Sequence, residues 1–341
     1  MNKSVSIIIP LRNRTSISVY YGSIPLKHLN KHQLILSGCP KQNIHIISND
    51  ENGTQIKINL LLNCLESLSK IKLSDEVFEV ILVDFNSDDY NLQTLVKKYP
   101  TLKLKIITVN DYFSRGKGLN IGLKHSTQEY IFFCDADMLF SGRDLFEHGY
   151  RECEQKKIFF PICFHLSEPS HQIGFWRRSG YGLSFMKKSF FLEYGYRLSE
   201  YDALGNEDDD IWDFFHKKNL CVRYEVKNYY HQWHPESVEF KNKYYKNFDV
   251  HKKKVFINLI PNDYHNWIKN NKSKLTEFIE EEEYYLVNQL EKFTDIVIQI
   301  PNPELNTLLT DSEIGEYKKK FNKKLQIINF NVDHKVKSAS N

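Results

Sequence analysis

Four short runs of β-branched and other apolar residues punctuate the first 135 residues of this chain: VSIIIP (5–10), FEVILVDF (78–85), LKIITV (104–109) and YIFFCD (130–135). Runs of this length and composition read as strands covered on both faces. Between them, residues 57–71, 89–99 and 116–126 carry helical patterns. Strand and helix alternating at this spacing predict an α/β chain with a Rossmann-like, mostly parallel central sheet flanked by helices. Ligands of such sheets bind beyond the carboxyl ends of the strands. Each run ends there in polar residues: Arg12, Asn13 and Arg14, then Asp84, then Asp111 to Arg115, then Asp135 and Asp137.

The rest of the chain sets limits on function. A net charge of +3, with Lys and Glu mixed along most of the 341 residues, gives no global basic field for nucleic acid. Six cysteines without a C-x-x-C pair argue against a zinc site or a disulfide framework and for a reducing compartment. VSIIIP is too short for a signal-peptide core, and no stretch approaches the roughly 18 apolar residues of a membrane helix. A cytoplasmic protein, soluble or peripheral to a membrane, is the expectation. Residues 1–239 read as one domain, interrupted by an excursion over about 15–55 that contains Gly22, Pro25, Gly38, Pro40 and Gly53. Beyond 240, the segment 274–293 places Leu275, Ile279, Leu286, Leu290 and Phe293 at helical spacing, so 240–341 is expected to be a mainly helical appendage.

Asp135-Ala136-Asp137 puts two carboxylates at the rim of the sheet, where a hard divalent cation could bind and hold a diphosphate; the alternative is that both only cap the next turn. GNEDDDIWDFF (205–215) starts a helix with four acids, more than its dipole requires, so one can serve as a general base. YYHQWHPE (229–236) offers His231 and His234 as ligands, and residue chemistry leaves open which of them binds. Arg12, Arg14, Arg115 and Lys117 converge on the same edge, which suits an anionic ligand. Gly180 and Gly182 allow close approach of backbone to a ligand, and the loop 170–180, with Phe175 and Trp176, is expected to act as a mobile lid over a sugar.

Taken in order, Pro10-x-Arg12-Asn13-Arg14, Phe113-x-Arg115, Asp135-x-Asp137, Gly182-x-Ser184, Gly205-x-Glu207-Asp208-Asp209-Asp210 and His231 resemble the β-1,4-galactosyltransferase family and the related chondroitin-type N-acetylgalactosaminyltransferase domains. The resemblance covers about residues 4–236. It implies the GT-A fold and an inverting, metal-dependent transfer of a hexose or N-acetylhexosamine from a UDP-sugar to a hydroxyl of a glycan or glycoconjugate. It further implies that Pro10, Arg12, Arg14, Asp84, Arg115, Asp135, Asp137 and Gly182 hold the donor. Asp208 is then the base, Glu207, Asp209 and Trp176 meet the acceptor, and Asp137 and His231, with Asp135 beside them, hold Mn²⁺ or Mg²⁺.

Three departures stand out: Leu204 replaces the family's tryptophan, Asn206 replaces its second glycine, and Asn228 stands where the animal galactosyltransferases use a methionine ligand. Asn228 can offer only a hard amide oxygen or no ligand at all, so metal preference should move toward hard cations, and activity with both Mn²⁺ and Mg²⁺ is expected. The animal enzymes' membrane anchor has no counterpart in the sequence, so their Golgi localisation is not carried over. Competing readings are a retaining GT-A transferase, a nucleotidyltransferase, and a non-catalytic module that binds UDP-sugar or glycan.

Overall fold

A computed structural model describes residues 3–21, 34–35, 44–50, 53–73, 75–168, 173–178, 180–195, 198, 207–234, 254–258, 295–300 and 324–329. In chain order the elements to Phe133 are β1 (Ser4–Leu11), β2 (Ile17–Tyr21), β3 (Leu34–Ile35), β4 (Ile44–Asp50), β5 (Gly53–Ile58), α1 (Leu60–Ile71), β6 (Val77–Asp84), α2 (Gln93–Lys98), β7 (Lys103–Thr108), α3 (Arg115–His125) and β8 (Tyr130–Phe133). Then come β9 (Met138–Phe140), α4 (Asp144–Glu154), β10 (Ile158–Leu166), β11 (Ile173–Trp176), β12 (Ser184–Lys187), α5 (Lys188–Tyr194), α6 (Glu207–His216) and β13 (Cys221–His231).

The four expected strands are β1, β6, β7 and β8, and they pair in parallel in the order β8-β1-β6-β7. The three expected helices are α1, α2 and α3. Past β8 the sheet continues through β12, β10, β11 and β3 by antiparallel pairings, and β13 runs parallel to β10. Side-chain alternation explains why helices cover both faces. Ile7, Ile9, Val80 and Leu82 enter one apolar cluster with Leu61, Leu65 and Phe146, while Ile8, Ile81 and Val83 enter another with Leu119, Leu123 and Trp212.

Helix α3 sits very close to the sheet. A Cβ at Gly118 would lie 2.7 Å from Pro10 Cβ, and one at Gly122 would lie 2.3 Å from Ile8 Cγ2. Its N-terminus is capped by Ser114 Oγ, which accepts from Lys117 N at 3.1 Å. This packing carries Arg115 to the carboxyl edge of β1 and β8.

Within the excursion, β2, β5 and β4 form a three-stranded antiparallel sheet, and β3 joins the main sheet against β11. The chain divides into two compact units, Met1–Lys246 and Asn247–Asn341. The described residues of the second unit are three parallel strands, β14 (Lys254–Asn258), β15 (Asp295–Ile300) and β16 (Lys324–Asn329), which the sequence reading did not include. The helical pattern at 274–293 lies outside the described residues. Among the described residues, no helix is long and apolar enough to cross a membrane.

Candidate active site

The chain leaves β8 at Phe133 and turns through Asp135, Ala136 and Asp137 into β9. Strand β9 pairs antiparallel with the end of β13, with Met138 opposite His231, and Gln232 N donates to Asp137 O at 2.8 Å. Gln232 is fully buried and clamps this junction. Its Nε2 donates to Leu60 O at 2.9 Å, and its Oε1 accepts from Asn63 Nδ2 at 2.8 Å. The two histidines on either side of the clamp are thereby brought to one carboxylate. His234 Nε2 lies 3.0 Å from Asp137 Oδ2, and His231 Nε2 lies 3.6 Å from Asp137 Oδ1. One potential ligand atom from each of Asp137, His231 and His234 lies within 4.8 Å of the others.

Burial pushes the Asp137 carboxyl up, but His231, His234 and Arg14 outweigh it and hold the group well below the usual carboxylate range. Burial pushes His231 down to about 4, against the pull of Asp137, so its imidazole is neutral at neutral pH and has lone pairs to offer. Asp137 Oδ1 and His231 Nδ1 are buried with no hydrogen-bond partner. Orphaned acceptors of this kind are costly unless something occupies them.

Asp135 stands apart from this cluster. Its Oδ1 accepts from Arg115 Nε at 2.8 Å; Arg115 Nη1 reaches Glu207 Oε1 at 3.4 Å, and Nη2 donates to Gly182 O. A Cβ at Gly182 would approach Arg115 Nη2 to 3.1 Å, which is why this position suits glycine. Burial works against the Arg115 charge, but Asp135, Glu207 and Asp208 hold the guanidinium more firmly protonated than usual. The Glu207 carboxyl is pushed up to about 7, by burial first and Asp208 second, with Arg115 opposing. Its Oε2 is buried without a partner. Next to it, Asp208 Oδ2 accepts from Tyr181 N at 3.1 Å.

A cavity of about 270 Å³ is walled by Arg115, Asp135, Gly182, Glu207 and Asp208 and reaches the histidine cluster at His231, while Asp137 and His234 are not among its walls. Four further wall residues, Cys163, His165, Arg177 and Arg223, were not singled out from the sequence. Cys163 and His165 alternate along β10, a signal hidden in the apolar run IFFPICFHL, and Arg177 and Arg223 are inconspicuous among 46 Lys and Arg residues.

Other expected site residues stand outside those walls. Arg12 Nη1 donates to Phe85 O, and Asn13, at φ 47°, is bonded to Ser87 and Asp88, so this loop is tied to the end of β6. Asp84 is buried and accepts from Ser87 N at 3.0 Å. Pro10 packs under Gly118. Asp209 is also outside the cavity walls. Trp176 lies in β11, paired with Phe164 and ring-to-edge against it at 5.2 Å. Residues 173–176 are therefore sheet, held by strand pairing, and this part of the expected lid is not a loop. Asn228 takes the second of its two expected alternatives, no ligand: its Nδ2 donates to Asp144 Oδ2 at 2.9 Å and its Oδ1 accepts from Ser141 Oγ at 3.1 Å. A register shift in β10–β13 carries residues around Asn228 toward β9, so both ends of its amide are used away from the histidines.

Residues 41–189 match the family described as Glycosyl transferase family 2. That stretch is similar to the family, and the Rossmann-like sheet agrees with the GT-A fold expected from the motifs. Among curated proteins it is 27% identical over 191 residues to "Chondroitin sulfate N-acetylgalactosaminyltransferase 2" of Homo sapiens, covering 50% of this chain and 32% of that protein. It is 25% identical over 198 residues to human "Chondroitin sulfate N-acetylgalactosaminyltransferase 1", covering 50% and 36%. The chain therefore matches about a third of the length of these relatives. A solved structure titled "Crystal structure of S. aureus TarS 1-349 in complex with UDP-GlcNAc" is similar at a TM-score of 0.42 and 14% identity, covering 69% of this chain and 60% of that one.

Proposed function

We propose that this protein transfers a hexose or N-acetylhexosamine from a UDP-sugar to a hydroxyl of a glycan acceptor, with inversion at the anomeric carbon. The observation that carries this reading is the convergence on one cavity of a buried arginine, an acidic helix start and His231, which belongs to a carboxylate-histidine cluster with Asp137 and His234. Asp208 is assigned as the base: Tyr181 N–H holds its Oδ2, which leaves Oδ1 to take the proton of the attacking hydroxyl. Arg115, fixed by Asp135, Glu207 and the Gly182 carbonyl, keeps a positive charge at the cavity wall for the leaving diphosphate.

The donor set of Asp137, His231 and His234 fits a divalent cation such as Mn²⁺, because Asp137 Oδ1 is buried without a hydrogen-bond partner and the Nε2 atoms of both histidines face this carboxylate. When bound, such a cation supplies charge that offsets the negative charge growing on the leaving group. With Asn228 occupied elsewhere, metal preference falls to these three residues, and two imidazoles with one carboxylate suit Mn²⁺ better than the harder Mg²⁺.

The test is incubation of the purified chain with a panel of UDP-sugars, glycan acceptors and Mn²⁺, with and without EDTA. The names of the relatives make UDP-N-acetylgalactosamine the first donor to try. Release of UDP that EDTA abolishes is expected, with the product's anomeric configuration by NMR opposite to the donor's. Undiminished release in EDTA, or retention of configuration, contradicts the proposal.

A further inference from the structure

The orientation of a metal-binding imidazole is ordinarily set by a hydrogen bond from its second ring nitrogen to a carboxylate or carbonyl. His231 has no such bond: Nε2 faces Asp137 Oδ1, and Nδ1 is buried without a partner. The terminal torsion of a histidine is broad, so some other contact must hold the ring. That contact is a second imidazole. His165 of β10 is the register partner of His231 on β13, and the two rings stack with centroids 4.3 Å apart and planes 13° from parallel.

The stack continues outward. Phe175 of β11 is the register partner of His165 on its other side, with ring centroids 5.2 Å apart and planes 32° from parallel. A Cβ at Gly174 would come within 2.2 Å of His165 O, so glycine there lets β11 close on β10. Three neighbouring strands thus align Phe175, His165 and His231, and the row ends at Asp137 and His234, whose ring centroid lies 5.2 Å from that of His231.

We infer that His165 is a positioning residue whose ring face, rather than a ring nitrogen, holds the His231 imidazole in the orientation that lets Asp137, His231 and His234 bind one divalent cation. This rests on the metal reading of the proposed function. It goes beyond that reading by assigning work to a side chain outside the ligand set, and it makes strand register, through β10 and β11, part of the metal site.

The experiment measures Mn²⁺ affinity of the full chain by electron paramagnetic resonance of free Mn²⁺, with no UDP-sugar present, for the parent, His165→Phe and His165→Leu. Phenylalanine keeps a ring face and loses both nitrogens; leucine fills much of the space with no ring. The Phe variant is expected to bind within about threefold of the parent, and the Leu variant about 10- to 100-fold more weakly, the usual cost of losing an orienting neighbour. Equal affinity of the Leu variant and the parent, or equal weakening of both variants, overturns the inference. If leucine at 165 prevents folding, Phe175→Leu removes the outer ring and should weaken Mn²⁺ binding about 2- to 10-fold, as expected for one ring pair; unchanged affinity there overturns the inference too. A parent chain that takes up no Mn²⁺ refutes the metal reading itself, and this inference with it.

Discussion

The two carboxylates of one motif, Asp135 and Asp137, reach opposite electrostatic states. Asp135 is closed into a network with Arg115, Glu207 and the Gly182 carbonyl, and its charge is answered within the protein. Asp137 faces two histidines, with one of its oxygens unpartnered. Two carboxylates two residues apart therefore differ: Asp135 pairs with the Arg115 guanidinium, and Asp137, on the proposed function, takes a cation from solution. Like charges so close would resist being held together unless each had its own counter-charge.

The contrast can be broken first at the base. Asp208→Asn nearly preserves volume and the hydrogen bond from Tyr181 N but removes the proton acceptor, and loss of a general base costs about 100- to 10,000-fold in rate. UDP affinity should change little. A turnover within about threefold of the parent removes Asp208 from the role.

Next is the closed network. Arg115→Met would leave Asp135 and Glu207 without their shared cation, and loss of one partner of a buried pair costs about 3–5 kcal/mol. Denaturant unfolding measures it. A loss below about 1 kcal/mol would mean that Arg115 acts on ligands alone and does not hold the fold.

A smaller effect comes from Glu207. Its carboxyl is raised to about 7, so below about pH 4.5 it is protonated both folded and unfolded and costs nothing. Between 4.5 and 7 the folded chain keeps a proton that the unfolded chain has given up, and the parent loses stability as pH rises. Glu207→Gln has no such loss, so its stability relative to the parent should grow across that window and level off above it, with a ceiling of about 3 kcal/mol. A stability difference that is flat from pH 5 to pH 8 would show that Glu207 is ionised at little cost.

Much of this arrangement was legible before any coordinates. The runs that became β1, β6 and β8 are buried almost throughout, and a strand so composed leaves few alternatives to a covered parallel sheet; β7, at the sheet's edge with Lys103 and Lys105 exposed, is not covered on both faces as expected. Asp137, Arg115 and the acidic run 207–210 stood out by their place at the sheet's active edge, while the choice of Asp208 and His231 and the role of Gly182 came from the resemblance to the β-1,4-galactosyltransferase family. What stayed hidden depends on pairings between distant segments. Pro161 disguises β10, which is buried throughout. The irregularity between Glu225 and Tyr230 on β13, which at Tyr230 and His231 pairs with β10 and β9 at once, is recorded by no local pattern. His165 gains meaning only from lying opposite His231, and Gln232 only from the backbone of Leu60 and Met138 that it bonds. The excursion read as turn-rich because of Gly22, Pro25, Gly38, Pro40 and Gly53, yet it contributes β2, β4 and β5 to a sheet of their own.

The division of labour between the two carboxylates is tested most directly by Mn²⁺ stoichiometry on Asp135→Asn and Asp137→Asn, measured by isothermal calorimetry on the full chain. The account predicts one Mn²⁺ per chain for the parent and for Asp135→Asn, with affinity within about tenfold of each other, and no measurable binding by Asp137→Asn, which loses the only carboxylate of its ligand set. Mn²⁺ binding abolished by Asp135→Asn and kept by Asp137→Asn would contradict it.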